Sequence, residues 1–194
     1  MTNSGRVPRT GIHQDILSVV VSRARIAERV EQLASDIAGL YQGVELTILA
    51  VLAGSVVFLS DLMRRLAIPM RLEVARVSSY PHEATSSQGV RFTLPLTAPL
   101  AGRHVLILDD ILDTGRTMRA LLEQVRSSEP ASVRSCVLLR KFRPDLPDRV
   151  EPDFVGFELP NKFIVGYGLD FNNLYRNLPD VCVLKCARPG EEAS

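Results

Sequence analysis

The feature that most constrains the fold is the stretch at residues 104–125, HVLILDDILDTGRTMRALLEQV. Residues 105–108 form an unbroken aliphatic and β-branched run, the pattern of a strand buried on both faces. Asp109 and Asp110 end it, Asp113 adds a third carboxylate, and Thr114-Gly115-Arg116-Thr117 follows. Met118, Leu121, Leu122 and Val125 then recur at helical spacing. The pattern predicts strand, acidic loop, helix, with Thr114 and Gly115 at the helix N-terminus. Such an end offers unpaired N–H groups and the positive end of the helix dipole, and so attracts phosphate. Three carboxylates beside an anion site repel one another and the anion unless a cation or sugar hydroxyls intervene. Solvated loop or N-cap residues of an ordinary α/β unit are the plain alternative. DD-x-x-DTG-x-T after a buried strand favours a binding site, because motif and context agree.

Composition narrows the partners. A chain of 194 residues suits one domain over 1–194, large enough to bury most of its apolar surface. A net charge of +1 sets up no global field, which argues against nucleic acid or an anionic membrane as partner. Cys136, Cys182 and Cys186 are odd in number, and the first two sit in apolar strand-like runs. They read as buried reduced thiols of a cytoplasmic protein and, without a nearby His, as poor zinc ligands. Residues 1–11 read as a loose polar segment without an apolar signal core, and the sequence holds no 18-residue apolar run, so secretion and membrane insertion are not expected.

Ser22 is a plausible N-cap for a helix with Ile26, Val30, Leu33, Ile37 and Leu40 on one face, closed by Gly39 or Gly43. Leu46–Leu52 reads as a second buried strand. Ala53-Gly54-Ser55 then turns into a helix carrying Val56, Leu59, Leu62, Met63 and Leu66 and ended by Pro69. This turn is either a second anion site or a tight connection. A strand at 70–77 leaves Arg71, Glu73 and Arg76 able to face solvent or a partner. Residues 78–102 break the pattern apart from a strand-like patch at 90–94, and a loop of this length reads as a mobile lid rather than an inert insertion. A strand at 133–139 precedes Arg140, Lys141 and Arg143, a cluster that is usually a solvated face. Short strands at 154–159, 163–166 and Val181–Leu184 lack long helices between them and suggest a small antiparallel subregion. Strands alternating with helices otherwise predict a doubly wound, mainly parallel α/β sheet with ligands at the strand carboxyl ends.

The acidic motif resembles the phosphoribosyl pyrophosphate (PRPP) signature of type I phosphoribosyltransferases. The resemblance runs over nearly the whole chain through LAGSVVF (52–58), SSY (78–80), LLRK (138–141) and DFVGFELPNKFIVGYGLDFNNLYR (153–176). The last stretch is similar to the hypoxanthine-guanine branch. Two positions depart from the usual form: Asp109 stands where Glu is common, and Ala53 where Lys is frequent.

The resemblance implies transfer of the phosphoribosyl group from PRPP to a 6-oxopurine, dependent on Mg2+, in purine salvage by a homo-oligomer (dimer or tetramer). It implies that Asp109 and Asp110 hold the ribose hydroxyls, and that Asp113, Thr114, Gly115, Arg116 and Thr117 bind the 5′-phosphate. Asp113 would also be the catalytic base at the purine imidazole nitrogen. Ala53, Gly54, Ser79, Tyr80 and Arg176 would bind pyrophosphate, and Asp170 would hold the metal. Phe163 would stack on the purine, Ile164 would offer its backbone, and Lys141 would donate to the 6-oxo group. The Leu52–Ala53 bond is implied to be cis, wholly or in part, although no proline follows.

Two other readings compete. A response-regulator receiver would need a phosphoacceptor Asp at a separate strand end and an opposing Lys. An RNA-binding regulator built on the same fold would need a strongly basic face, which a net charge of +1 does not support. A Walker-type loop is excluded, since no G-x-x-x-x-G-K-[ST] occurs.

Overall fold

A computed structural model describes residues 14–79, 90–92, 99–144 and 150–185, with the backbone alone at 77–79 and 90–92. The elements are β1 (Ile16–Val21), α1 (Arg23–Leu40), β2 (Leu46–Leu52), α2 (Val56–Met63), β3 (Met70–Ser79) and β4 (Val90–Phe92), then β5 (His104–Leu112), α3 (Arg116–Arg126), β6 (Ser132–Phe142), β7 (Phe154–Pro160), β8 (Ile164–Val165) and β9 (Val181–Leu184). The main sheet has the order β4-β3-β2-β5-β6-β7, and all its strands are parallel except the edge strand β4. A second sheet, β1-β9-β8, is antiparallel.

Alternation along the central strands explains the two helical layers. Ile48, Ala50, Leu106, Leu108 and Leu138 pack with Ile26, Val30, Leu33 and Ile37 of α1 and with Phe58 and Leu62 of α2. The intervening Leu49, Val51, Val105, Ile107 and Val137 pack with Met118, Leu121 and Val125 of α3. A strand covered on both faces must be apolar at successive positions, which is why 105–108, and 48–51 after the buried Thr47, read as unbroken runs. Successive strands are laid down to one side of β2 (β3) and to the other side of β5 (β6, β7), so the order reverses between β2 and β5. Such a switch point leaves a crevice at the strand carboxyl ends.

Ser22 caps α1, its side chain accepting from Arg25 N–H at 3.5 Å, and the helix ends at Leu40 with Gly43 beyond it at φ +80°. Gly39 lies inside the helix and does not close it. Several expectations need correction. β5 does not stop at Leu108; its ladder with β6 continues through Asp109↔Val137 and Ile111↔Leu139, because backbone pairing is indifferent to a carboxylate side chain. α2 stops at Met63, short of Leu66, in a tightened turn where Arg65 N–H donates to the Leu62 carbonyl at 2.9 Å. Glu73 is buried rather than solvent-facing.

β7 joins the parallel sheet beside β6 rather than the antiparallel subregion. β1 had no clear sequence signal: Leu17 and Val19 on it are exposed, so no alternation marks it, and its partner β9 lies at the far end of the chain. The patch expected at 90–94 appears as Val90–Phe92 paired with β3. Residues 1–11, Cys186, Tyr80 and most of the expected lid lie outside the described residues. Cys136 and Cys182 are free and buried. Among the described residues no helix is long and apolar enough to cross a membrane.

Candidate active site

Two turns meet at the carboxyl ends of β2 and β5, beside the switch point. The first follows β2. The Leu52–Ala53 bond is cis, as the resemblance implied. Ser55 is fully buried, and its hydroxyl donates to the Val51 carbonyl at 2.5 Å, which folds the turn back into α2. Gly54 faces Asp110 so closely that a Cβ there would overlap the Asp110 carboxylate.

The acidic motif spans the end of β5 and the second turn, which leads into α3. Asp109 Oδ1 accepts from the Asp110 N–H at 3.0 Å, and Asp110 Oδ1 accepts from the Ile111 N–H at 3.0 Å. Asp109 is buried, and desolvation, followed by the neighbouring Asp110, holds its carboxyl well above the usual carboxylate range. Burial raises Asp110 as well, opposed by its hydrogen bonds and by the charge of Arg176. Gly115 sits at the N-cap of α3 with φ +78°, a left-handed geometry that glycine adopts without strain. Thr114 Oγ1 accepts weakly from the Arg116 N–H at 3.5 Å, and Thr117 lies half-buried in the first turn.

Asp113 stands between two cations. Lys141 Nζ donates to its Oδ2 at 2.6 Å, and Arg143 Nη1 donates to its Oδ1 at 2.8 Å. Both come from β6: Lys141 near its end, Arg143 just past it. Their side chains are 13% and 19% exposed, so this part of the basic cluster is not the solvated face that composition suggests. Arg140, by contrast, pairs outward with Glu151 and Glu158.

A third turn, after β8, closes on the first. Gly168 has φ +100°, and a Cβ on it would overlap the Gly54 carbonyl. Arg176 Nη1 donates to the Gly168 carbonyl at 2.7 Å, and its Nη2 pairs with Asp170 Oδ1 at 2.7 Å. Asp170 Oδ2 accepts from the Asn173 N–H at 2.9 Å. Tyr167 OH donates to Asp61 Oδ2 at 2.7 Å, tying this turn to α2, and burial followed by that carboxylate pushes the phenol upward. Phe163 meets Phe171 edge-on with ring centroids 5.3 Å apart, and Ile164 pairs with Val183 in the small sheet.

The structure thus gathers Gly54, Asp110, Asp170 and Arg176 into one cluster and Asp113 with Lys141 into another. Ile164 lies on the separate sheet with Phe163 just before it, joined to the first cluster through the Gly166–Gly168 bend. Ala53 is exposed beside Gly54. Ser79 pairs through its backbone with Val90. Sequence reasoning missed Arg143, Tyr167 and Gly168. The signal for Arg143 was available, since it stands two residues after Lys141 on a strand and so projects to the same side. Tyr167 and Gly168 gave none, because their roles depend on contacts with Asp61 and Gly54 more than a hundred residues away.

The family model for the phosphoribosyl transferase domain matches residues 20–172. The hypoxanthine-guanine phosphoribosyltransferase of Mycobacterium tuberculosis is 42% identical over 171 residues, covering 84% of each chain. That of Streptococcus pneumoniae is 37% identical, covering 90% of this chain and 96% of its own. A hypoxanthine phosphoribosyltransferase structure from Staphylococcus aureus superposes with a TM-score of 0.85 at 33% identity, over 92% of this chain and 97% of that one. The bifunctional protein TilS/HprT of Listeria innocua is 36% identical over 90% of this chain, which spans only 27% of that longer protein. By matched domain, by identity over most of its length and by fold, the chain belongs to the phosphoribosyl transferase family, within its hypoxanthine-guanine phosphoribosyltransferase group.

Proposed function

We propose that the chain transfers the 5-phosphoribosyl group of PRPP to hypoxanthine or guanine, giving IMP or GMP and pyrophosphate, as a purine-salvage enzyme. The observation that carries this is the pairing of Asp113 with Lys141. It sets an acceptor and a donor side by side at the mouth of the phosphate-binding turn, as the imidazole N–H and 6-oxo edge of one purine require. The same reading extends to a single domain over 1–194 and to a cytoplasmic homo-oligomer.

The turn from Asp113 to Thr117 receives the 5′-phosphate on the free N–H groups of α3 and the hydroxyls of Thr114 and Thr117, with Arg116 beside them. Gly54, Ala53, Arg176, Ser79 and Tyr80 hold the pyrophosphate. Asp109 and Asp110 take the ribose hydroxyls. Their crowding is unfavourable in the empty site and becomes favourable as positive charge grows on the ribose in an oxocarbenium-like state. Phe163 stacks on the purine, and the Ile164 carbonyl accepts from a 2-amino group. Lys141 leaves Asp113 to donate to the 6-oxo group, and Asp113 takes the imidazole proton as the glycosidic bond forms at the other imidazole nitrogen.

Magnesium fits the donors present. Among the described residues no group of three His, Cys, Asp or Glu is placed to cage a metal. A partly exposed carboxylate such as Asp170 suits an ion that takes its other ligands from substrate oxygens and water. Held by Asp170, it would supply neutralisation of charge on pyrophosphate.

Incubating the protein with PRPP, magnesium and each base in turn, and quantifying the nucleotide formed, tests the assignment. IMP and GMP are the expected products. Failure to form either, with PRPP bound, would sink it.

A further inference from the structure

We propose that Arg143 is a positioning residue for Asp113, holding one carboxylate oxygen still while the other takes the purine proton; this rests on the activity proposed above. Each oxygen of Asp113 has its own cation, Lys141 on Oδ2 at 2.6 Å and Arg143 on Oδ1 at 2.8 Å. Lys141 has a second task, donation to the 6-oxo group, and must leave Oδ2 to perform it. Its departure frees that oxygen for the purine imidazole N–H. Oδ1 stays tied to Arg143, so the carboxylate keeps its aim through the exchange.

Exposure supports this division. The Asp113 side chain is 37% exposed, while the cations that hold it are 13% and 19% exposed. A carboxylate so open to water turns outward once both anchors are gone, and a planar guanidinium fixes direction better than a flexible ammonium. Strand geometry supplies the pair, since Lys141 and Arg143 project to one side of β6 and Phe142, 57% exposed, to the other.

In the step itself the imidazole N–H bond breaks and an O–H bond forms at Oδ2. The electron pair passes through the ring, the other imidazole nitrogen bonds to ribose C1, and pyrophosphate leaves with the pair of its C–O bond. Arg143 touches neither reactant. It acts through the direction of Asp113, and misplacing a reacting group by about 1 Å costs roughly 10²-fold.

Single-turnover rates with PRPP, magnesium and hypoxanthine test this in the wild type, Arg143→Met, Asp113→Asn and the double variant. Arg143→Met should slow the chemical step about tenfold, within the range of coupled neighbours. PRPP affinity and the KM for hypoxanthine should change little. In the Asp113→Asn background the same change should cost almost nothing, and Arg143→Lys should restore only part of the rate. Should Arg143→Met fail to fold, Arg143→Gln serves the same comparison. Fully additive losses in an active protein overturn the inference alone. Absence of turnover in the wild type overturns the activity and the inference together.

Discussion

Gly54, in the turn after β2, and Asp110, near the end of β5, are packed so tightly that no side chain fits between them. The glycine is therefore required by its neighbour as well as by its own turn. A methyl group there must displace the carboxylate assigned to the ribose or the turn assigned to pyrophosphate. Gly54→Ala should raise the KM for PRPP at least about tenfold and destabilise the fold by about 1–3 kcal/mol, the usual cost of overpacking. Initial-rate kinetics and denaturant melts check this, and an unchanged KM would contradict it.

Asp109 is held well above the usual carboxylate range by burial and by Asp110. A group whose folded value is raised lends stability below its unfolded value, near pH 4, and loses it as pH rises through the folded value. Above that window the wild type carries a buried charge that Asp109→Asn lacks. The variant should melt higher than wild type at pH 7–8, with the gap closing toward pH 4, while PRPP turnover falls. Parallel melting curves for the two proteins across that range would refute the assignment.

Asp113→Asn keeps the shape of the site and removes the base. Turnover should slow by roughly 10²–10⁴, the usual worth of a positioned general base, with PRPP affinity nearly intact. Measured under single-turnover conditions, a wild-type rate would remove Asp113 from the role.

Lys141 carries three donors and no acceptor, so it satisfies a 6-oxo group and leaves the 6-amino group of adenine facing another donor. Guanine and hypoxanthine should serve as substrates, xanthine more weakly and adenine negligibly. Lys141→Met should cut hypoxanthine use by roughly 10²-fold or more, as loss of one positioned donor does. Competition assays decide it: adenine matching hypoxanthine in the wild type would overturn the role of Lys141.

Much of the scaffold was legible because burial on both faces leaves a one-dimensional trace. Leu46–Leu52 is apolar but for the buried Thr47, because helices lie above and below it. The carboxylates of β5 misled because strand pairing continues beneath polar side chains. β1 was silent because its partner, rather than its own alternation, makes it a strand. In the site, residues carried by motif could be listed by number, whereas their grouping could not. That Arg143 shares Asp113 with Lys141, or that Gly168 backs onto Gly54, depends on how strands distant in sequence are brought together.

The small sheet also pairs an early strand with a late one. β1 leaves the ribosome before the other described strands, yet among them its neighbour is β9, and Arg23 N–H waits for the Asp180 carboxylate 157 positions later. All strands of the parallel sheet have been synthesised by Pro160, before β8 and β9 exist. A nascent chain can thus mature its phosphate-binding turns while the support for Phe163 and Ile164 is still missing and Leu17 and Val19 lie on an unpaired edge. The turn that would take the 5′-phosphate precedes the segment that would stack on the base.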